Sequence, residues 1–291
     1  MPLASRSMSG SSAARRHQAS IGQRGGIVLA VLAAIGAGCG ADDRAARAGS
    51  DASVTVVQRE LLPDLDQETP RSLDVRREDG SWRLGFWSGA RNIGHGPLIV
   101  VGRRASRLER EMTVDQIVRR ADGSRRRYRG VGAMRYVRSP DHAHWHYLSF
   151  ERYELAELRG DDYRLIARDR KTGFCLGDRY KSVRRMDRMP AEKVYRSRCG
   201  LRKRRLLSIL QGISVGYGDD YSAFLEGQSL PIDGLPAGEY VLVHRVNADA
   251  ELRERTHANN AASVRIALLW HDGRPSVRLL AQCPDRERCA R

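Results

Sequence analysis

Beyond residue 60 the chain alternates apolar and polar positions in short bursts. Trp82 to Trp87 (WRLGFW) and Tyr240 to Val246 (YVLVHRV) carry apolar side chains at every second position, the period of a strand with one buried face. Leu98 to Val101 (LIVV) is a short continuous apolar run of the kind that fills a sandwich core. Val114 to Val118, the Asp122-Gly123 turn and Tyr128 to Tyr136 read as a hairpin, and Tyr163 to Ala167 as a further strand. Leu206 to Leu210 suits a short helix or a strand. Gly216 to Tyr221 and Gly234 to Gly238 are dense in turn residues, and Ala262 to Trp270 reads as the final strand. From Ser182 to Arg205 the chain is polar, basic and poorly periodic, which predicts a long excursion. Few segments carry a helical period and none repeats. The pattern predicts an all-β, sandwich-like domain with long loops and little helix.

The 291 residues divide by composition into four parts: an export signal at 1–38, a flexible tether at 39–55, the β domain at 56–272 and a tail at 273–291. Arg15, Arg16 and Arg24 precede the apolar stretch Gly26 to Ile35, which is too short to span a bilayer and suits a signal core. Gly36-Ala37-Gly38 before Cys39 resembles a bacterial lipobox, although Gly36 stands where Leu is usual. A lipobox makes Cys39 the lipidated first residue of the mature chain, held to a membrane in the cell envelope. The alternative is a signal cut nearby and soluble secretion. Cys175, Cys199, Cys283 and Cys289 remain, an even number in an exported chain, and so predict two disulfides. Four cysteines allow three pairings. Cys283 with Cys289 would close a small loop and Cys175 with Cys199 would hold the excursion.

Charge changes the picture less. The 51 basic residues outnumber 35 acidic ones, for a net charge of +16, yet only Lys171, Lys181, Lys193 and Lys203 are lysines. The arginines are scattered along the sequence with no nucleic-acid motif, so they predict a solvated surface and no nucleic-acid partner. Arg202-Lys203-Arg204-Arg205 is the one short basic run.

The candidate chemistry lies in His142-Ala143-His144-Trp145-His146-Tyr147. On a strand, His142, His144 and His146 share one face and Ala143 and Trp145 the other. Three imidazoles on one face predict a metal site, suited to zinc, copper, iron or nickel, over the alternative of a His-rich surface strand.

Four motifs follow in order: HAHWHYLSFERYEL from His142, Lys171-Thr172-Gly173-Phe174-Cys175-Leu176, GYGDDYSAFLEGQ from Gly216, and LPAGEYVLVHRVNADAELRERTHANN from Leu235. Together they resemble the catalytic domain of the lysyl oxidase family in its bacterial form, from about Leu61 to Trp270. The resemblance implies copper held by His142, His144 and His146, and a lysine tyrosylquinone built from Lys171 and Tyr221, with Tyr217 as the nearest competitor for the tyrosine. It implies oxidative deamination of primary amines, among them peptidyl lysine, by molecular oxygen, releasing an aldehyde, ammonia and hydrogen peroxide. Asp219 and Asp220 flank Tyr221 and are candidates for the general base, or else simply shape a turn. The competing readings are an exported copper-binding module without catalysis and a zinc hydrolase, which would leave the Lys and Tyr motifs unexplained.

Overall fold

The alternating segments all form strands. A computed structural model describes residues 59–139, 142–160, 162–168, 173–182 and 184–290, and these contain no helix. The expected signal and tether, with Cys39, lie outside the described residues, and so does Lys171. The strands pair antiparallel in three sheets. The first sheet has seven: β1 (Glu60–Leu61), β5 (Leu98–Arg103), β6 (Glu111–Arg120), β7 (Arg125–Tyr128), β8 (Ala133–Arg138), β9 (Ala143–Tyr147) and β13 (Ser208–Ile213). Its path runs β13-β5-β6-β8-β9, so β9 stands at an edge. The second has five, in the order β11 (Asp162–Arg168), β10 (Glu151–Arg159), β16 (Gly238–Val246), β17 (Ala261–His271) and β18 (Arg274–Cys283). The third is built on the long β4 (Ser81–Asn92), which pairs with β2 (Leu65–Gln67), β3 (Arg71–Glu78), β14 (Tyr217–Tyr221) and β15 (Ser229–Pro231), while β12 (Tyr180–Lys181) pairs with β14.

The sequence pattern explains the layering. In β6, Met112, Val114, Gln116 and Val118 are buried and the residues between them reach the surface, as period-2 alternation requires. In β16, Tyr240, Leu242, His244 and Val246 enter the main core with Phe86, Leu98, Trp145 and Val264, while Val241 and Val243 pack into a second cluster with Cys289. Burying each such aliphatic or aromatic side chain stabilises the fold by roughly 1.5–3 kcal/mol. Two disulfides are formed, Cys175 to Cys199 and Cys283 to Cys289.

The structure departs from the sequence reading at three places. The expected hairpin arm from Tyr128 to Tyr136 is split into β7 and β8, both on β6, because Gly130 and Gly132 take positive φ (67° and 128°) and bend the chain between them. Of the two readings open for Leu206 to Leu210, the strand is the one formed, in β13. Gly216 to Tyr221 is mostly strand rather than turn. Gly218 is tolerated in β14 because a Cβ there would sit 2.2 Å from the Tyr180 ring, so the glycine makes room for an aromatic. The last correction is that Ala262 to Trp270, within β17, is not the final strand, because β18 follows it. Asp272 and Gly273, with φ of 47° and 72°, make a two-residue turn of the type that Asp-Gly favours, and β18 then pairs along β17 from His271 to Ser263.

Candidate metal centre and the tyrosine beside it

Edge strand β9 presents the histidines. His142 enters just before it, and the nitrogen ligand atoms of His142, His144 and His146 all lie within 4.8 Å of one another. Ring centroids are 4.8 to 5.3 Å apart, and His144 Nε2 is 2.8 Å from His146 Nε2. On the other face Trp145 and Tyr147 are buried in the core, which fixes the strand's rotation and so the direction of the imidazoles. Burial, and then the charge of His142, push the His144 imidazole down to about 4. It is neutral at ordinary pH, the form that ligates a metal. The three donors therefore fit an imidazole-ligated transition metal in position and type.

The free edge of β9 is occupied by the Phe174 segment. Tyr147 and Phe174 exchange backbone hydrogen bonds at 2.8 and 2.9 Å. Buried Gln211 on β13 ties the same two segments: its side-chain carbonyl accepts from the Leu176 amide at 3.0 Å, and its amide donates to the Trp145 carbonyl at 2.8 Å. The Cys175–Cys199 bridge anchors the far side, where the Trp145 amide donates to the Cys199 carbonyl at 2.8 Å. Each hydrogen bond is worth about 1 kcal/mol, but leaving a buried partner unmet would cost more, so these segments are held in one register.

Tyr221 closes the site. Its ring lies 6.2 Å from that of His142 and 4.5 Å, edge-on, from Phe174, and its phenol oxygen accepts the Cys175 amide at 3.1 Å. Burial, then the charge of Asp219, raises the phenol above its usual range. Tyr217, two strand periods away on the same face, donates instead to the Pro190 and Ala191 carbonyls of the excursion, at 3.3 and 3.2 Å.

The two aspartates part company on β14. Asp220 points to the far face, accepting from the Trp87 indole at 2.9 Å and from Arg179 at 2.9 Å. Asp219 shares the face of Tyr221, is 1 % exposed, and accepts the Gly177 amide at 3.2 Å. Burial pushes its carboxyl well above the usual range; Arg179 pulls the other way at 3.5 Å and the charges of Glu151 and Asp220 add to the rise.

Behind Tyr221 stands a buried polar group that sequence reasoning missed in part. Ser88 is the cross-strand partner of Tyr221, so their side chains share a face. Its hydroxyl touches Glu151 Oε2 (3.4 Å), Tyr153 (3.2 Å) and Gln228 (2.8 Å). Glu151 Oε2 also meets His244 Nε2 at 2.7 Å and accepts the Tyr153 hydroxyl at 2.8 Å. Gln67 Nε2 donates to the Gly89 carbonyl and sits 2.7 Å from His244 Nδ1, so Nδ1 accepts and the His244 proton is on Nε2, facing Glu151. His244 was visible as the one polar residue on the inward face of YVLVHRV.

The lysyl oxidase family model matches residues 135–276, a span that contains all three histidines and Tyr221. The chain carries a lysyl oxidase family domain. No curated protein matches the chain. The first seven strands precede the matched span, yet β6 and β4 of that part hold β8 and β14 within the lysyl oxidase domain.

Proposed function

We propose that this domain is a copper-dependent amine oxidase that builds a lysine tyrosylquinone from its own Lys171 and Tyr221. The observation that carries the proposal is the 6.2 Å separation of the Tyr221 ring from His142 in a triad fit for a metal. Family membership makes copper the metal of choice, and imidazole donors suit it. His142, His144 and His146 would hold it. Copper and the quinone would supply redox chemistry with oxygen and a carbonyl electron sink for the substrate amine's carbon. Lys171 is four residues from Cys175, whose amide touches the Tyr221 phenol, and four residues span at most about 14 Å of chain.

The remaining roles belong to the protein's own groups. Cys175 N–H and Phe174 orient the Tyr221 ring. Asp219 is the general base that takes the proton from the substrate's α-carbon, because it shares the ring's face and its raised affinity for a proton suits that task. Asp220 serves Arg179 and Trp87. The substrate is a primary amine, with peptidyl lysine among the class. Export with Cys39 as a lipid anchor belongs to the same proposal, and the two disulfides favour an oxidising compartment; acyl labelling of the wild type and absence of label in Cys39→Ser is the check.

The decisive experiment expresses the mature domain with copper and air and digests it. A cross-linked peptide joining the Lys171 and Tyr221 segments, reactive with phenylhydrazine, is the expected product. Unmodified separate peptides in copper-loaded protein would leave a non-catalytic copper-binding module.

A further inference from the structure

The arginines that are scattered in sequence are gathered in space. Three adjoining depressions share walls. One of about 610 Å³ is lined by Arg184, Arg185 and Arg188, with Arg59 and Arg255. A second of about 670 Å³ is lined by Arg125, Arg126 and Arg127, with Arg103 and Arg119. A smaller one of about 140 Å³ joins them, sharing Leu61, His95 and Arg188 with the first and Arg119, Val194 and Tyr195 with the second. The result is one trough whose walls hold ten arginines against a single aspartate, Asp187. None of its lining residues belongs to the histidine and Tyr221 site.

Local carboxylates do not neutralise it. Asp115 serves both Arg103 and Arg127 at 3.7 and 3.9 Å, and Glu60 serves both Arg126 and Arg120 at 3.3 and 3.9 Å. Among the described residues no carboxylate pairs with Arg125, Arg184 or Arg185. His95 registers the crowding: after burial, the charges of Arg255, Arg59 and Arg188 all push its imidazole down. Of these three only Arg255 has a carboxylate partner among the described residues, Asp64 at 3.3 Å, so positive charge stays in excess.

We propose that this trough binds a linear, phosphate-bearing polyanion. The groups of trough and ligand match. A guanidinium carries five donors and no acceptor, so the charged side chains of the walls, Asp187 apart, only donate. A chain of phosphates is almost purely accepting and carries charge all round its axis. An acidic polypeptide would bring backbone N–H groups that such walls cannot satisfy, and a strand would turn alternate carboxylates away. Single-stranded nucleic acid is held by stacking on aromatic rings, and Tyr195 is the one phenyl or indole ring among the described lining residues. The inference does not depend on the amine oxidase reading.

Long-chain inorganic polyphosphate, titrated into the full chain at two salt concentrations, is the test. The triple variant Arg125→Ala, Arg184→Ala, Arg185→Ala should weaken binding about tenfold or more and flatten its salt dependence. Arg274→Ala, Arg278→Ala, Arg286→Ala removes the same charge elsewhere and should change affinity less than about twofold. Because net charge could act without a site, equal loss in the two triples would overturn the proposal. So would poly-glutamate of matched length binding as tightly as polyphosphate. The corresponding Arg→Lys triple at 125, 184 and 185 keeps the charge but loses the fork, and should fall between wild type and the alanine triple; if it and the alanine triple both bind as wild type does, the trough is not the site.

Discussion

The backbone amide of Cys175 donates to the phenol oxygen of Tyr221 across 3.1 Å, and the same cysteine is tied by a disulfide to Cys199. The bridge therefore positions the Tyr221 ring through a peptide group. With its ends 24 positions apart in the sequence, it should stabilise the fold by about 3 kcal/mol. Cys199→Ser should lower the urea midpoint accordingly and slow quinone formation in refolded protein. Wild-type rates of chromophore appearance in that variant would refute the coupling.

Tyr221 and Tyr217 separate by consequence. Tyr221→Phe should retain the fold and copper binding but develop no phenylhydrazine-reactive chromophore. Tyr217→Phe loses only its bonds to the Pro190 and Ala191 carbonyls, about 1 kcal/mol, and should keep the chromophore. Visible spectra of the two copper-loaded variants decide the assignment.

Asp219 and Asp220 differ by face. Asp219→Asn preserves shape and the contact with the Gly177 amide while removing the proposed base, so kcat should drop about 10²-fold or more with little change in thermal midpoint. Asp220→Asn should act mainly on stability, by about 1–3 kcal/mol, through Trp87 and Arg179. Steady-state assays with a simple primary amine, paired with melting curves, distinguish them; the reverse pattern would move the base to Asp220.

Copper removal should expose a pH dependence. In the folded, metal-free chain His144 stays neutral down to about pH 4, whereas the unfolded imidazole takes up a proton near 6.5. Between these values the unfolded state binds more protons, so stability falls as pH drops from about 6.5 to about 4 and levels off below. Urea midpoints of stripped protein should follow this course, and His144→Gln should flatten it. An unchanged slope in that variant would assign the effect to other groups.

Much of this arrangement was legible beforehand. Alternation identified the strands, because a half-buried sheet imposes period 2, and it placed the three histidines on one face opposite Trp145. What it could not supply was the neighbour across the sheet. Ser88 meets Tyr221 only through the register of β4 with β14, and Glu151 meets His244 only through that of β10 with β16. The Gly-rich β14 read as a turn because glycine is both a turn residue and, beside Tyr180, a way to admit a ring. The arginines read as unpatterned because the trough draws on segments around 59, 119, 125, 184 and 255, which proximity in sequence does not link.

Gln211 has a bearing on the order of events in the life of the molecule. It joins Leu176 and Trp145 across separations of 35 and 66 residues, and Cys175 reaches Tyr221 across 46. Such long-range closures come together late and cooperatively in a β topology. A nascent or partly folded chain thus has the individual side chains but no assembled centre, and self-modification of the ring would date a chain as one that has already reached its native topology.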